Sequence, residues 1–224
     1  MGNIVDDVSR SMREAAVRDR RRAMLYMAHV APLTAYAAAL RERGSARIPA
    51  LEVPDFDPCD GGTEAQILFL FEKPGPMTSV GSGSGFISRN NDDPSAEATL
   101  NFMQRAAIPR ELTATWNVIP WWNGTRKVTG QELREGAACV EQLIGLFPKL
   151  RVVILVGKRA ARARKYLVGT GFEVLTSAHP SPLVRARYPK RWSAIPEQWR
   201  KAIQFIELEA GATSRSSGSS GLIA

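Results

Sequence analysis

Gln66-Ile-Leu-Phe-Leu-Phe-Glu-Lys-Pro-Gly-Pro76 decides the fold. Its first six residues form a short continuous apolar run, the pattern of a strand buried on both faces. Glu72-Lys-Pro-Gly-Pro76 then stops it. Further strands are expected at Ala114 to Val118, at Arg151 to Val156 with Val-Val-Ile-Leu-Val at its centre, and at Phe172 to Thr176. Helical patterns lie between them. Ser95 can cap a helix running to about Ala107, with Leu100, Phe102 and Met103 turned inward. A second is expected from about Gly130 to Phe147, a basic third from Gly157 to about Leu167, and a last one from Pro196 to about Ala210. Short strands alternating with helices imply parallel pairing and right-handed crossovers. The expected class is α/β, a three-layer α/β/α sandwich around a central four-stranded, mainly parallel sheet, preceded by N-terminal helices.

Those N-terminal helices come from residues 4 to 43, rich in Ala, Arg, Leu and Met and divided by Pro32. Residues 45 to 63 hold Pro49, Pro54, Pro58, Gly61 and Gly62 and read as an irregular connector. The chain therefore divides into a helical extension at 1–45, an α/β domain at 46–210, and a Ser/Gly-rich tail at 211–224 expected to be disordered. Arg18, Arg20, Arg21 and Arg22 read as a solvated helix face in preference to a nucleic-acid contact. Trp116, Trp121 and Trp122 read as core or turn packing, and Gly81-Ser-Gly-Ser-Gly85 as a flexible loop, since no Walker-type Lys-Ser/Thr follows it.

The 224 residues carry a formal net charge of +8, unevenly placed. Lys149 to Lys201 holds 13 Lys+Arg against 2 Asp+Glu. A basic region fits phosphate backbones, although a solvated surface has the same composition. Cys59 and Cys139 are too few for an iron–sulfur cluster, and no zinc constellation is present. No disulfide framework is implied, which suits a reducing cytoplasm. Asp6 and Asp7 stand where a signal peptide would be basic, and His29, Pro32 and Thr34 interrupt the apolar run from Met24 to Leu40, so no membrane partner is expected.

Open parallel sheets bind ligands outside the carboxyl ends of their strands. Three stretches far apart in sequence fall there: Glu72 to Pro76, Asn117, and Thr176-Ser-Ala-His-Pro-Ser-Pro-Leu-Val-Arg-Ala-Arg-Tyr188. In the last, Pro180 and Pro182 stiffen the loop around His179. Leu183 is an apolar side chain at its far end, and Arg185 and Arg187 follow. One segment thus offers a hydrogen-bond donor, an apolar wedge and two cations.

As a set, Glu-Lys-Pro-Gly at 72–75, Asn117 and His-Pro-Ser-Pro-Leu at 179–183 resemble the uracil-DNA glycosylase superfamily over roughly residues 64 to 208. The cysteines of its iron–sulfur branches are missing. The resemblance implies removal of uracil from DNA in base-excision repair, by a monomer without cofactor. It assigns His179 as the donor to the developing uracil anion, a contact that lowers the barrier because the charge appears only as the bond breaks. Asn117 pairs with uracil O4 and N3–H, which cytosine would mismatch. Phe86 corresponds to the aromatic that stacks on the flipped base, and Pro74 and Gly75 to the loop beside it. Leu183 corresponds to the wedge that fills the vacated space in the stack. Ser181, Pro182, Arg185, Arg187, Lys158 and Arg159 are assigned to the DNA backbone.

One position departs from the best-studied branch, where an Asp before the motif proline positions the attacking water. Here it is Lys73. An ammonium beside a sugar cation is repulsive, so Lys73 is expected to point outward to a phosphate, or else to act as an amine nucleophile. Glu72, which in the family acts mainly through its backbone, is a further candidate for the water. The alternatives are a glycosylase-fold DNA-binding or damage-sensing protein without catalysis, a glycosylase for another deaminated base such as hypoxanthine, and a hydrolase of free nucleosides or nucleotides.

Overall fold

The computed structural model describes residues 7–45, 51–167, 169 and 171–217. Four strands form the central sheet: β2 (Ile67–Phe71), β4 (Thr113–Asn117), β5 (Val152–Val156) and β6 (Glu173–Ser177). Their order is β4-β2-β5-β6, and every pair is parallel. Two further strands, β1 (Asp55–Phe56) and β3 (Phe86–Ile87), pair with each other inside stretches that read as loops. Each is two residues long, too short for periodicity to register.

Side chains alternate across the sheet as the pleat requires. Leu68, Leu70, Ala114, Trp116, Val153 and Leu155 face one layer, with α2 (Ala31–Ser45) and α4 (Gly130–Ile144). Ile67, Phe69, Val152, Ile154 and Val156 face the other, with α3 (Pro94–Arg105) and α7 (Ile195–Ser217). The protein is therefore an α/β/α sandwich. Trp116 and Trp121 are buried, and Trp116 stacks on Phe56 at 3.7 Å between ring centroids.

The N-terminal helices are part of this core. Val30, Leu33, Ala37 and Leu40 pack in the same cluster as Trp116 and Val140. Pro32 falls in the first turn of α2, where its missing N–H costs nothing, so the chain breaks between α1 (Ala15–Met24) and α2. The connector's residues 46–50 lie outside the described residues.

Several local expectations change. Asp93, not Ser95, caps α3: its Oδ1 accepts from the amides of Ser95 and Ala96, and Pro94 takes the first helical position. Residues Ala160–Tyr166 form a 3-10 helix. Of the tail, residues 211–217 continue α7, and 218–224 lie outside the described residues. Two short helices, α5 (Pro182–Arg187) and α6 (Pro189–Ser193), occupy the segment before α7.

Candidate active site

The carboxyl ends of β2, β4, β5 and β6 open into a cleft of about 450 Å³. Three of the separated stretches meet there: Glu72 to Pro76, Asn117 and His179 all line it. Asn117 ends β4 beside Phe71 of β2. It is buried, and its Oδ1 has no hydrogen-bond partner. His179 stands two residues past β6, over Gly157 at the end of β5. Gly157 has φ of 96°, and a Cβ there would lie 3.2 Å from His179 Cβ. This position needs glycine for its conformation and for the approach of the imidazole. Phe71 meets the His179 ring edge to face at 5.5 Å.

Burial pushes the His179 pKa down to about 4, because a desolvated imidazolium loses its hydration. Its Nδ1 is sealed from solvent without a partner. At neutral pH the ring is uncharged and can donate from one nitrogen.

Lys73 does not reach outward. Its side chain is 4% exposed, and Nζ lies 2.7 Å from Glu132 Oε1, 2.7 Å from Asn123 Oδ1 and 3.2 Å from the Lys127 carbonyl. Glu132 is also the third residue of α4 in a capping box with Thr129. Burial opposes its ionisation, but the bonds from Lys73 and Thr129 outweigh this and hold its pKa below the usual range. Lys73 therefore pins the loop after β2 to the start of α4, and an ammonium held by three acceptors is a poor nucleophile. Glu72 is also engaged, 2.9 Å from Arg159 Nη1, and its carbonyl accepts from Ile119. Arg159 itself is 57% exposed.

Phe86 is a second correction. Its ring packs with Met12, Leu25 and Val17 of the N-terminal segment and is fully buried. The aromatic among the residues lining the cleft is Phe71. Phe86 is captured because β3 pairs with β1, which turns the ring toward the N-terminal segment. Pro74 and Gly75 line the cleft, and nothing lies within 4 Å of where a Gly75 Cβ would stand. Ser181 caps α5 through its side chain, and Pro182 begins that helix on the cleft rim. Leu183 is 66% exposed on α5, which removes core packing as its role. Arg185 lies over the Trp192 ring at 5.0 Å, and Arg187 and Lys158 are exposed.

Among the cleft residues that escaped the sequence reading are Asn91, Asp93, Thr115 and Phe71. Asn91 and Thr115 are buried, and each carries an oxygen without a partner. Thr115 had a readable signal, since it lies two residues before Asn117 on the same strand face.

A family profile described as the Uracil DNA glycosylase superfamily matches residues 58–203. The chain belongs to that superfamily. Two solved structures are similar to this member. One is a solution NMR structure of a "putative Uracil DNA glycosylase" from Methanosarcina acetivorans, with TM-score 0.41 and 18% identity, covering 62% of this chain and 92% of that one. The other is a mimivirus UNG in complex with UGI, with TM-score 0.39 and 13% identity, covering 81% of this chain and 74% of that one. Comparison with curated proteins gives no match. Among the described residues, no helix is long and apolar enough to cross a membrane.

Proposed function

We propose that this superfamily member is a monofunctional DNA glycosylase that hydrolyses the N-glycosidic bond of uracil in DNA and so begins base-excision repair. The observation that carries this reading is one cleft holding both an unpartnered, buried Asn117 Oδ1 and an uncharged His179. Leaving a buried acceptor unpaired costs about 1–3 kcal/mol. A ligand that donates to it recovers that cost.

Uracil fits the two groups. Its N3–H donates to Asn117 Oδ1, and the amide nitrogen donates to O4. Cytosine offers no proton at N3 and a donor in place of O4. His179 donates to O2 as negative charge builds on the departing base. A neutral imidazole suits this role, because it gives a strong hydrogen bond without surrendering its proton to the leaving group. Asn117 is buried within the cleft, so a base that pairs with it must leave the duplex stack. Exposed Leu183 supports the wedge, and Arg185, Arg187 and Lys158 support phosphate contacts along the mouth.

A DNA-binding sensor is the second reading, favoured by Lys73 at the place where a branch of the family carries its water-positioning Asp. An oligonucleotide with one uracil, single- or double-stranded, followed by alkali, separates the two. The glycosylase reading expects breaks at the uracil from the wild-type chain and none from His179→Ala. Binding without breaks transfers the assignment to the sensor.

A further inference from the structure

We propose that Asp93 holds and deprotonates the attacking water. This rests on the glycosylase reading. Two carboxylates line the cleft among the described residues, Glu72 and Asp93. Glu72 is paired with Arg159 at 2.9 Å. Asp93 has no cationic partner among the described residues. Its Oδ1 accepts from two amides of α3, at 2.8 and 3.0 Å, and these bonds fix the side chain. Its Oδ2 accepts no hydrogen bond among the described residues. One oxygen is thus an anchor and the other is available.

The surroundings mark this wall of the cleft as built for polar chemistry. Asn91, two residues before, is 1% exposed and lines the cleft with Oδ1 unpartnered, while its Nδ2 donates to the Phe86 carbonyl at 2.9 Å. Thr115, 5% exposed, adds an unpartnered hydroxyl from β4. The loop carrying Asp93 is braced from behind. Asn90 accepts from Arg21 at 3.3 Å, donates to the Val8 carbonyl at 3.0 Å, and its own carbonyl accepts from Met12.

The position also suits the sugar. Asp93 precedes Pro94, and Pro94 and Pro182 line both the cleft and the adjoining groove along α3 and α6. Asp93 therefore stands at the rim. The deoxyribose would lie there while the base reaches buried Asn117. In the step, Oδ2 takes a proton from water, the water oxygen bonds to C1′, and the C1′–N1 bond breaks with its electron pair going to uracil. His179 meets the resulting anion.

The test is single-turnover excision of uracil by Asp93→Asn, with Asp92→Asn as the neighbouring control. Asparagine caps helices as well as aspartate, so α3 and the thermal midpoint are expected to hold. Excision is expected to fall about 10²–10⁴-fold, with unchanged affinity for an oligonucleotide carrying a non-cleavable 2′-fluorinated deoxyuridine. Asp93→Ser, which also caps, should show the same loss. Asp92 pairs with Arg10 at 3.4 Å, outside the cleft lining, and its variant keeps the wild-type rate. Wild-type activity retained by Asp93→Asn overturns the proposal, as does a rate loss accompanied by a lower midpoint or weaker binding. A wild-type chain that excises nothing overturns the glycosylase reading itself, and this proposal with it.

Discussion

One face of one strand joins two buried polar regions with opposite habits. Thr113, Thr115 and Asn117 lie on the same side of β4. At the Thr113 end is a charged cluster. Arg21 pairs with Asp57, Arg110 lies 2.7 Å from Asp57 and 3.0 Å from Asp60, and Arg89 lies 3.4 Å from Asp60. Ser88 donates to Asp57, and Arg89 to Thr113. Most of its polar atoms find partners, although Asp60 Oδ2 and Arg89 Nε do not. At the Asn117 end, Asn91, Thr115, Asn117 and His179 each keep a buried atom unpaired. The cluster is organised for stability, holding α1 to the domain. The cleft forgoes stability that a ligand can restore.

Electrostatics follow the same division. Burial opposes ionisation of Asp57, but Arg110 and Arg21 outweigh it and hold its pKa low. At Asp60 burial prevails over Arg89 and Arg110, and the pKa rises. At His179 burial acts unopposed.

The largest expected effect comes from breaking the cluster. Asp57→Ala leaves Arg21 and Arg110 without their shared carboxylate and should cost about 3–5 kcal/mol in urea unfolding. The next comes from protonating the cleft. The unfolded chain takes up a proton on His179 below about pH 6.5, whereas the folded chain does so near pH 4. Stability should therefore fall as pH drops from 6.5 toward 4, by up to about 3 kcal/mol. Urea midpoints across this window, compared with His179→Gln, isolate the effect: the variant should lose that slope. A smaller pair sharpens the contrast within β4. Thr113→Val strips a bonded hydroxyl and should cost about 2 kcal/mol, while Thr115→Val removes an unpaired one and should be neutral or stabilising by up to about 1 kcal/mol.

The sheet was legible because its strands are short apolar runs bounded by Pro and Gly. Asn117 and His179 were legible because parallel topology gathers strand ends. What stayed hidden depends on partners distant in sequence. Arg21 looks like one of four solvated arginines until Asp57, 36 residues away, buries it. Lys73 looks free until Glu132 arrives from α4, 59 residues on. Phe86 looks like a cleft aromatic until the N-terminal segment surrounds it. Asp93 reads as one of two adjacent loop acids, and only the cap on α3 separates it from Asp92.

Asn117→Ala, measured for both excision rate and urea midpoint, tests the central claim most directly. The account predicts a rate lower by about 10²–10³-fold with a midpoint equal to or above wild type, because the lost oxygen had no partner in the free protein. A lowered midpoint with an unchanged rate would contradict it, and would place Asn117 with the structural polar groups of the cluster.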